Sequence, residues 1–298
     1  MPDQQLHGIL NINKPPGITS HDVVSRVRRI TGQRRVGHAG TLDPLATGVL
    51  VLCLGEATRI IEYLMTDDKV YRARIRLGIS TDTYDAEGQI THQTDPDHIS
   101  RAQVEQGLVA FVGMLQQTPP MYSAIKHKGT PLYRLARRGQ VVHRQARTVH
   151  VSALELLEWA PAELEIRVRC SKGTYIRSLA HDLGQDLGCG AHLVGLIREA
   201  SGGFILERSI TLDELAEAFA GGEGPGLLQP LDMALQALPA VTVDGAAARK
   251  IGFGQRVQLL EAPGTSMCRV YATDGRLLAL LKHDSDGYWQ PRKVFHAA

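Results

Sequence analysis

The sequence predicts an α+β fold followed by a small C-terminal β-barrel. Strand and helix patterns mix over residues 1–238 without the strict βαβ repetition that is typical of a parallel sheet. After Leu238-Pro239 the pattern changes to short strands and turns, and Asp-Gly pairs begin at positions 274 and 286, where hairpin turns are expected. We therefore expect two domains, residues 1–238 and residues 239–298.

Two segments alternate with a period of two residues, which predicts strands. In KVYRARIRL, residues 69–77, apolar side chains occupy one face and three arginines occupy the other. The segment ELEIRVRCS, residues 163–171, repeats this pattern. Because the apolar face of such a strand packs against the core, Tyr71 should point inward.

Three further segments are interpreted as helices. Thr19-Ser20-His21-Asp22 has the form of a helix capping signal, and apolar residues at spacings of three and four follow it as far as Gly32. Lys172-Gly173-Thr174 turns the chain into a second helix that carries Ile176 and Leu179. The segment AHLVGLIRE, residues 191–199, is interpreted as a third helix.

The composition is that of a globular protein, with 43% hydrophobic and 21% charged residues among 298. Four cysteines, at positions 53, 170, 189 and 268, show neither CxxC nor Cys/His spacing, which favours free thiols in a reducing compartment. Residues 1–10 do not have the form of a secretory signal, and no apolar segment is suited to span a bilayer. We expect a cytoplasmic protein.

The net charge of +2 conceals a segregation of charge along the chain. Residues 23–42 contain five arginines and no acid, whereas residues 209–248 contain six acids and no Lys or Arg. Residues 106–154, the basic stretch, also lack acids and carry seven cations: Lys126, Lys128, Arg134, Arg137, Arg138, Arg144 and Arg147. A charge run is usually a solvated face, and we interpret the acidic segment so. Two long acid-free stretches favour a surface that binds a polyanion.

One carboxylate, Asp43, lies in the unusual segment GHAGTLDPLATGVL, residues 37–50. On local grounds an Asp beside Pro is most often a turn former. However, the flanking glycines allow close approach of a ligand to the backbone, and the apolar run that follows would fix the turn to the core. The alternative is therefore a rigidly held carboxylate that acts on an anionic ligand.

The same segment resembles the aspartate-bearing motif of the TruB family of pseudouridine synthases, bacterial enzymes that act on uridine 55 of tRNA. Four other segments resemble that family in the same order along the chain: NKPPGITSHDVV, KVYRARIRLGISTDTYDAEG, PPMYSAIKHKGTPLYRLARRG and CSKGTYIRSLAHDLG. The resemblance implies a catalytic domain of the pseudouridine synthase type, with a mixed sheet. It also implies that the region from Val241 onward is a PUA-like RNA-binding barrel.

The resemblance implies an isomerisation that starts from a base-flipped uridine in the T loop. Uracil is detached from its ribose, rotated and rejoined through carbon, and Asp43 matches the nucleophilic aspartate; whether it attacks the base or the sugar is left open. Such a reaction requires neither a metal nor another cofactor, and no metal-ligand spacing or phosphate-binding glycine loop is found in the sequence.

Further site residues follow from the resemblance. Tyr71 would stack on the base and take the proton from C5, although a tyrosine on the apolar face of a strand could simply belong to the core. Arg177 would pair with Asp43 and keep it ionised, although an Arg in the first turn of a helix is by default a surface residue. Tyr175 and Leu196 would line the base pocket.

Two more residues match the family outside the immediate reaction. His38 would fill the space that the flipped nucleotide leaves, with a simple turn histidine as the alternative. Lys14 belongs to an Asn-Lys-Pro turn that is expected to support the catalytic loop. One departure is visible at Ile197-Arg198-Glu199, where the family commonly has two successive basic residues after the leucine.

The leading hypothesis is a monomeric enzyme whose partner is the T arm of tRNA, with no role for DNA or membranes. Within the basic stretch, Arg137 and Arg138 are expected to contact RNA phosphates. A non-catalytic RNA-binding or tRNA-folding protein is the first alternative. A base-excising or glycosidase-type enzyme is the second, although glycosidases usually require two carboxylates and this segment offers one.

Overall fold

A computed structural model of the chain describes residues 6–66, 68–259 and 263–295. The described helices are α1 (Ser20–Thr31), α2 (Ile61–Leu64), α3 (Arg101–Val109), α4 (Leu132–Ala136), α5 (Ile176–Asp186), α6 (Leu212–Ala220) and α7 (Gly245–Gly252). The first strands are β1 (Gly8–Lys14), β2 (Val36–His38), β3 (Thr47–Leu54), β4 (Lys69–Leu77), β5 (Ile79–Thr81), β6 (Ile90–Gln93), β7 (Gly113–Gln117), β8 (Lys126–His127) and β9 (Thr130–Pro131). The remaining strands are β10 (Arg147–Ala160), β11 (Glu163–Cys170), β12 (Ala191–Ser201), β13 (Phe204–Ile205), β14 (Ala240–Val243), β15 (Met267–Ala272), β16 (Leu277–His283) and β17 (Trp289–Val294).

A nine-stranded sheet forms the centre of the molecule. Its order is β1-β3-β12-β4-β11-β10-β7, with β2 beside β3 and β13 beside β12. Strand β12 pairs with β3 in parallel and with β4 in antiparallel orientation, so the sheet is mixed. The predicted α+β class with a mixed sheet is confirmed.

The two period-two segments form the adjacent central strands β4 and β11, as predicted. Ile75 on β4 and Ile166 on β11 are fully buried, whereas Arg74 and Arg76 face solvent. Ala73 pairs with Ile166 across the two strands. The alternation of apolar and charged residues therefore identifies the face of each strand that packs against the core.

Two predicted helices are also confirmed. Thr19 caps α1 through a capping box with Asp22, and the helix ends at Gly32, which has a left-handed φ of 68°. Helix α5 follows the turn at residues 172–174 and buries Leu179 and Leu183 against the sheet.

The prediction of a helix over AHLVGLIRE is wrong, because these residues belong to strand β12. The strand lies between β3 and β4, and both neighbours hydrogen-bond to it. A register shift between Leu193 and Gly195 adds a bulge. A short apolar run with one glycine suits a buried strand as well as a helix, and the pairing with partners distant in sequence decides between them.

The C-terminal region forms a separate four-stranded sheet in the order β14-β15-β16-β17. The predicted Asp-Gly turns join β15 to β16 and β16 to β17, and Gly275 and Gly287 both have a φ of 83°. No closed barrel is found within the described part of this region. One hydrophobic cluster joins it to the rest of the molecule, because Leu280 and Phe295 pack with Ile9 and Ile60.

Candidate active site

A cavity of about 450 Å³ opens beside the central strands β4 and β12. It is lined by five of the residues that the sequence singled out: Asp43, Tyr71, Tyr175, Arg177 and Leu196. These residues come from a loop, two strands, the start of α5 and the residue before it. The fold thus brings together side chains that are up to 153 positions apart, counted from Asp43 to Leu196.

The loop between β2 and β3 carries Asp43 and is held at several points. Ser20 of α1 accepts a hydrogen bond from the Leu42 amide (2.8 Å) and donates one to the Leu42 carbonyl (3.0 Å). The Asp43 carbonyl accepts a bond from the Ala46 amide (3.1 Å), so this residue does form a turn. Its carboxylate takes no part in that turn and is free to face the cavity.

The guanidinium of Arg177, on α5, holds the Asp43 carboxylate. Its Nε lies 2.9 Å from Oδ2, and its Nη2 lies 3.1 Å from Oδ1. The same guanidinium donates to the carbonyls of Tyr122 (2.8 Å) and Thr83 (3.2 Å). Only 5% of the Arg177 side chain is exposed, so the default expectation of a surface arginine is wrong here. A guanidinium with its donors fixed in this way sets the orientation of the carboxylate.

A second carboxylate, Asp85, completes what we call the Asp43–Arg177–Asp85 cluster. Its Oδ2 lies 3.0 Å from Arg177 Nη1, and its Oδ1 accepts a hydrogen bond from the Thr83 hydroxyl (2.6 Å). Asp85 is buried and does not line the cavity. Asp85 was not among the predicted site residues, because its partner Arg177 lies 92 positions away.

The charge balance of the cluster shifts the titration of Asp43. Burial raises the pKa of Asp43 and the neighbouring Asp85 carboxylate raises it further, while Arg177 and Lys14 lower it; the net direction is upward. Arg177 therefore favours the ionised form, as expected, but does not outweigh burial. With 36% of its side chain exposed, Asp43 remains accessible from the cavity.

Lys14 contacts the Asp43 loop from the end of β1. Its buried ammonium donates to the carbonyls of Pro15 (2.9 Å) and Pro44 (3.2 Å). Burial lowers the pKa of Lys14 to about 8, although the Asp43 charge partly opposes this. Lys14 does not line the cavity.

Tyr71 and Arg198 also line the cavity. Tyr71 pairs with Val168 on one side and with Arg198 on the other. Burial raises the pKa of Tyr71, and a hydrogen bond with the Arg198 guanidinium opposes that rise. Arg198 is buried and also donates to the carbonyls of Val49 (2.6 Å) and Gly40 (3.3 Å). Arg198 was not among the predicted site residues.

Arg198 is flanked by Ile197 and Glu199, where the family commonly has a second basic residue. Glu199 lies 2.9 Å from Arg167 in an ion pair at the sheet surface, and neither residue lines the cavity. Ile197 pairs with Arg72 and Thr47 within the sheet.

The remaining lining residues are fixed by the backbone. Tyr175 precedes α5, and its amide and carbonyl both bond to the Gln117 side chain (2.7 and 2.9 Å). Burial raises the pKa of Tyr175. Leu196 is 8% exposed and reaches the cavity from β12.

Besides Lys14, three predicted residues lie outside the cavity lining. His38 ends β2, five residues before Asp43, and burial lowers its pKa, which favours the neutral imidazole. Arg137 and Arg138 follow α4 and are exposed, and the Arg137 guanidinium lies 5.7 Å from the Tyr133 ring centre.

The two acid-free stretches differ in how their cations are used. In the first, Arg35 pairs with Glu56 at 2.9 Å and Arg28 donates to the Val36 carbonyl. In the basic stretch, none of the seven cations forms an ion pair with any described residue. One of them, Arg147, lines the cavity itself.

The described residues offer neither a metal-binding cluster nor a membrane-spanning helix. They contain no group of three or more His, Cys, Asp or Glu side chains that could hold a metal ion. None of the helices in the described part of the chain is long and apolar enough to cross a bilayer.

Comparison with known proteins gives consistent matches. Residues 28–176 match the TruB family pseudouridylate synthase N-terminal domain, and residues 177–236 match the tRNA pseudouridylate synthase B C-terminal domain. The chain is 46% identical over 290 residues to a tRNA pseudouridine synthase B of Dehalococcoides mccartyi, covering 97% of each protein. It is 43% identical to the protein of the same name from Cupriavidus metallidurans, covering 99% of this chain and 96% of that protein.

Solved structures show the same architecture. An H/ACA RNP bound to a substrate RNA containing 2'-deoxyuridine matches with a TM-score of 0.75 and 27% identity over 97% of this chain and 85% of the other. A Cbf5-Nop10-Gar1 complex matches with a TM-score of 0.71 and 30% identity, covering 93% and 78% of the two chains.

Proposed function

This chain belongs to the TruB family of pseudouridylate synthases and is a tRNA pseudouridine synthase, an isomerase; we propose that its target is the T-loop uridine at position 55. The observation that carries the proposal is a single accessible carboxylate, Asp43, held by a buried arginine at the floor of a cavity. A volume of about 450 Å³ is within the usual range for a small-ligand pocket and would accept a flipped nucleotide.

Asp43 is the proposed nucleophile. Its attack, on the base or on the sugar, leads to cleavage of the N1–C1' bond, rotation of uracil and formation of the C5–C1' bond. The proton leaves C5 and N1 gains one, so the atoms of substrate and product balance. Arg177 would orient the carboxylate, and Asp85 would orient Arg177.

Tyr71 is the proposed stacking residue and acceptor of the C5 proton. The Arg198 guanidinium supports this role, because it favours the phenolate form that Tyr71 must adopt before its oxygen can accept the C5 proton. Tyr175 and Leu196 would enclose the base from the other sides of the cavity.

His38 and Lys14 are proposed to act outside the reaction itself. His38 would occupy the space of the flipped nucleotide, which its place next to the Asp43 loop supports. Lys14 would keep the loop in place through its bond to Pro44. Arg137 and Arg138 would contact phosphates of the T arm, and their exposure without acidic partners supports this.

We also propose the domain division at residue 238, with residues 1–238 catalytic and residues 239–298 a PUA-like RNA-binding domain. The separate C-terminal sheet, with its own cluster around Val270 and Trp289, supports this division. The cavity is built from one chain, in accord with a monomer. All four cysteines are free and buried, in accord with a cytoplasmic location.

The two alternative hypotheses fit the geometry of the cavity less well. A protein that only binds RNA has no need for an accessible carboxylate in a phosphate-binding surface. A two-carboxylate glycosidase would need both acids at the cavity, but Asp85 is turned away and bonded to Arg177 and Thr83.

The test is incubation with an unmodified tRNA transcript, followed by site-specific detection of pseudouridine and measurement of free uracil. We expect pseudouridine at position 55 alone, with no released uracil. A transcript that carries cytidine at this position is the matched control and should yield no product. Pseudouridine at another position would contradict the proposed target, and free uracil would favour excision.

A further inference from the structure

Helix α5 contacts the loop of residues 82–86 at two points that are one helical turn apart. Arg177 and His181 are four positions apart and so project from the same face of the helix. Each of them meets a different residue of the loop: Arg177 meets Asp85, and His181 meets Tyr84.

The first contact is polar and belongs to the Asp43–Arg177–Asp85 cluster. A single nitrogen of Arg177, Nη1, donates to both the Asp85 carboxylate (3.0 Å) and the Thr83 carbonyl (3.2 Å). The residues on either side of Tyr84 therefore converge on one atom, which requires a sharply folded loop.

The second contact is a stack of two rings. The ring centres of Tyr84 and His181 are 3.9 Å apart, and their planes differ by 12°. Burial lowers the pKa of His181, which favours the neutral imidazole. A flat, neutral pair in this geometry gains dispersion energy that a smaller side chain would lose.

The loop conformation itself needs support. Tyr84 has a φ of 65°, in the left-handed region that a bulky residue rarely adopts and that costs conformational energy. Its backbone is held by the bond from the Leu193 amide (3.0 Å) and by its own amide's bond to Thr81 (3.3 Å). The ring stack adds an anchor on α5, the helix that also carries Arg177.

Neither Tyr84 nor His181 lines the cavity, so neither is placed to touch a base bound there. We propose that both are positioning residues for the isomerisation. Their stack holds the 82–86 loop in place, with Tyr84 in its left-handed conformation. The loop in turn keeps Asp85 on Arg177, and Arg177 on Asp43. This inference rests on the proposed function of the Asp43 site.

The test compares variants that keep the ring with variants that remove it. Single-turnover formation of pseudouridine at saturating enzyme reports the chemical step, and affinity for the product tRNA reports binding. We expect His181→Leu and Tyr84→Gly to slow the chemical step about 3- to 10-fold with unchanged affinity. His181→Phe and Tyr84→Phe retain a ring and should react within about 2-fold of the parent.

Tyr84→Gly removes the ring without adding backbone strain, since glycine adopts a positive φ readily. Slowing in this variant therefore reports the loss of the ring stack. A double-variant cycle identifies the route: in an Asp85→Asn background, His181→Leu should cause little further slowing, because the loop no longer holds Arg177 through a carboxylate.

Parent-like single-turnover rates in His181→Leu and Tyr84→Gly would overturn the inference, including when melting temperature falls. So would a His181→Phe variant as slow as His181→Leu, or full additivity with Asp85→Asn. These outcomes leave the proposed function intact as long as the Asp43→Asn protein is inactive, so the two failures are distinguishable.

Discussion

The cavity floor and the basic stretch both depend on arginine, but they use it in opposite ways. Arg177 is 5% exposed, and both of its terminal nitrogens donate to fixed acceptors. Arg137 and Arg138 are exposed and form no ion pair with described residues. A buried arginine with several fixed partners fixes a geometry, whereas exposed arginines supply charge. Substitutions at the floor should therefore change the rate, and substitutions in the basic stretch should change affinity.

The largest effect in this comparison is expected at Arg177. Arg177→Lys keeps the charge, but an ammonium cannot make two parallel bonds to Asp43 and also reach Asp85. We expect a single-turnover rate at least about 100-fold lower, with affinity for tRNA largely retained. Arg167→Lys, in a surface ion pair, is the matched control and should leave the rate unchanged. A folded Arg177→Lys protein with the parent's rate would show that the pairing is only structural.

A smaller effect is expected when the pH is lowered, because the proposed nucleophile, Asp43, must be ionised. An upward-shifted pKa means that Asp43 takes up its proton at a higher pH than an ordinary aspartate near 4. As the pH falls through that raised pKa, the ionised fraction and the single-turnover rate should fall together. A pH profile with enzyme folding followed in parallel measures this. A rate that is constant down to the ordinary aspartate range would contradict the upward shift.

The basic stretch should give an effect on binding alone. Arg137→Ala combined with Arg138→Ala should weaken tRNA binding and reduce the slope of log affinity against log salt by about one to two units, since each phosphate contact contributes roughly 0.7–0.9. The single-turnover rate at saturation should stay unchanged. Arg101→Ala removes a cation already paired with Glu105 and is the control. An unchanged slope and affinity would remove this surface from the RNA interface.

The smallest effect is expected at Glu199, where the chain departs from its family. Its ion pair with Arg167 lies at the surface, and such pairs contribute little because solvent screens them. Glu199→Gln should therefore leave the melting temperature within about 2 °C and the rate within about 2-fold of the parent. A clear gain in rate or affinity would show that the acid at this position opposes RNA binding.

Local patterns predicted those parts of the fold that local physics determines. The period-two strands and the Thr19–Asp22 capping box follow from residues a few positions apart, and the structure confirms them. The strand β12 was misread, because its identity depends on pairing with β3 and β4 rather than on its own sequence.

The site was predicted only where a motif marked it. Asp43, Tyr71 and Arg177 lie in recognisable segments, and the structure places all three at one cavity. Asp85 and Arg198 were missed, because their roles come from contacts across 92 and 127 positions, to Arg177 and Tyr71. A buried carboxylate with a distant cationic partner leaves no periodic signal in a single sequence.

We expect the chemical step to depend on the Asp43 carboxylate and tRNA binding to depend on the surrounding surface. Asp43→Asn keeps the size of the side chain and removes its charge, and an amide is a very poor nucleophile. Asp213→Asn, on the exposed face of α6, is the matched control.

The decisive measurement is the single-turnover rate of pseudouridine formation by Asp43→Asn, together with its tRNA affinity and a mass that excludes deamidation. We predict a rate at least about 1,000-fold below the parent, with affinity equal or slightly higher because repulsion of phosphates is relieved. A verified Asp43→Asn protein that isomerises uridine at a rate near that of the parent would contradict the account.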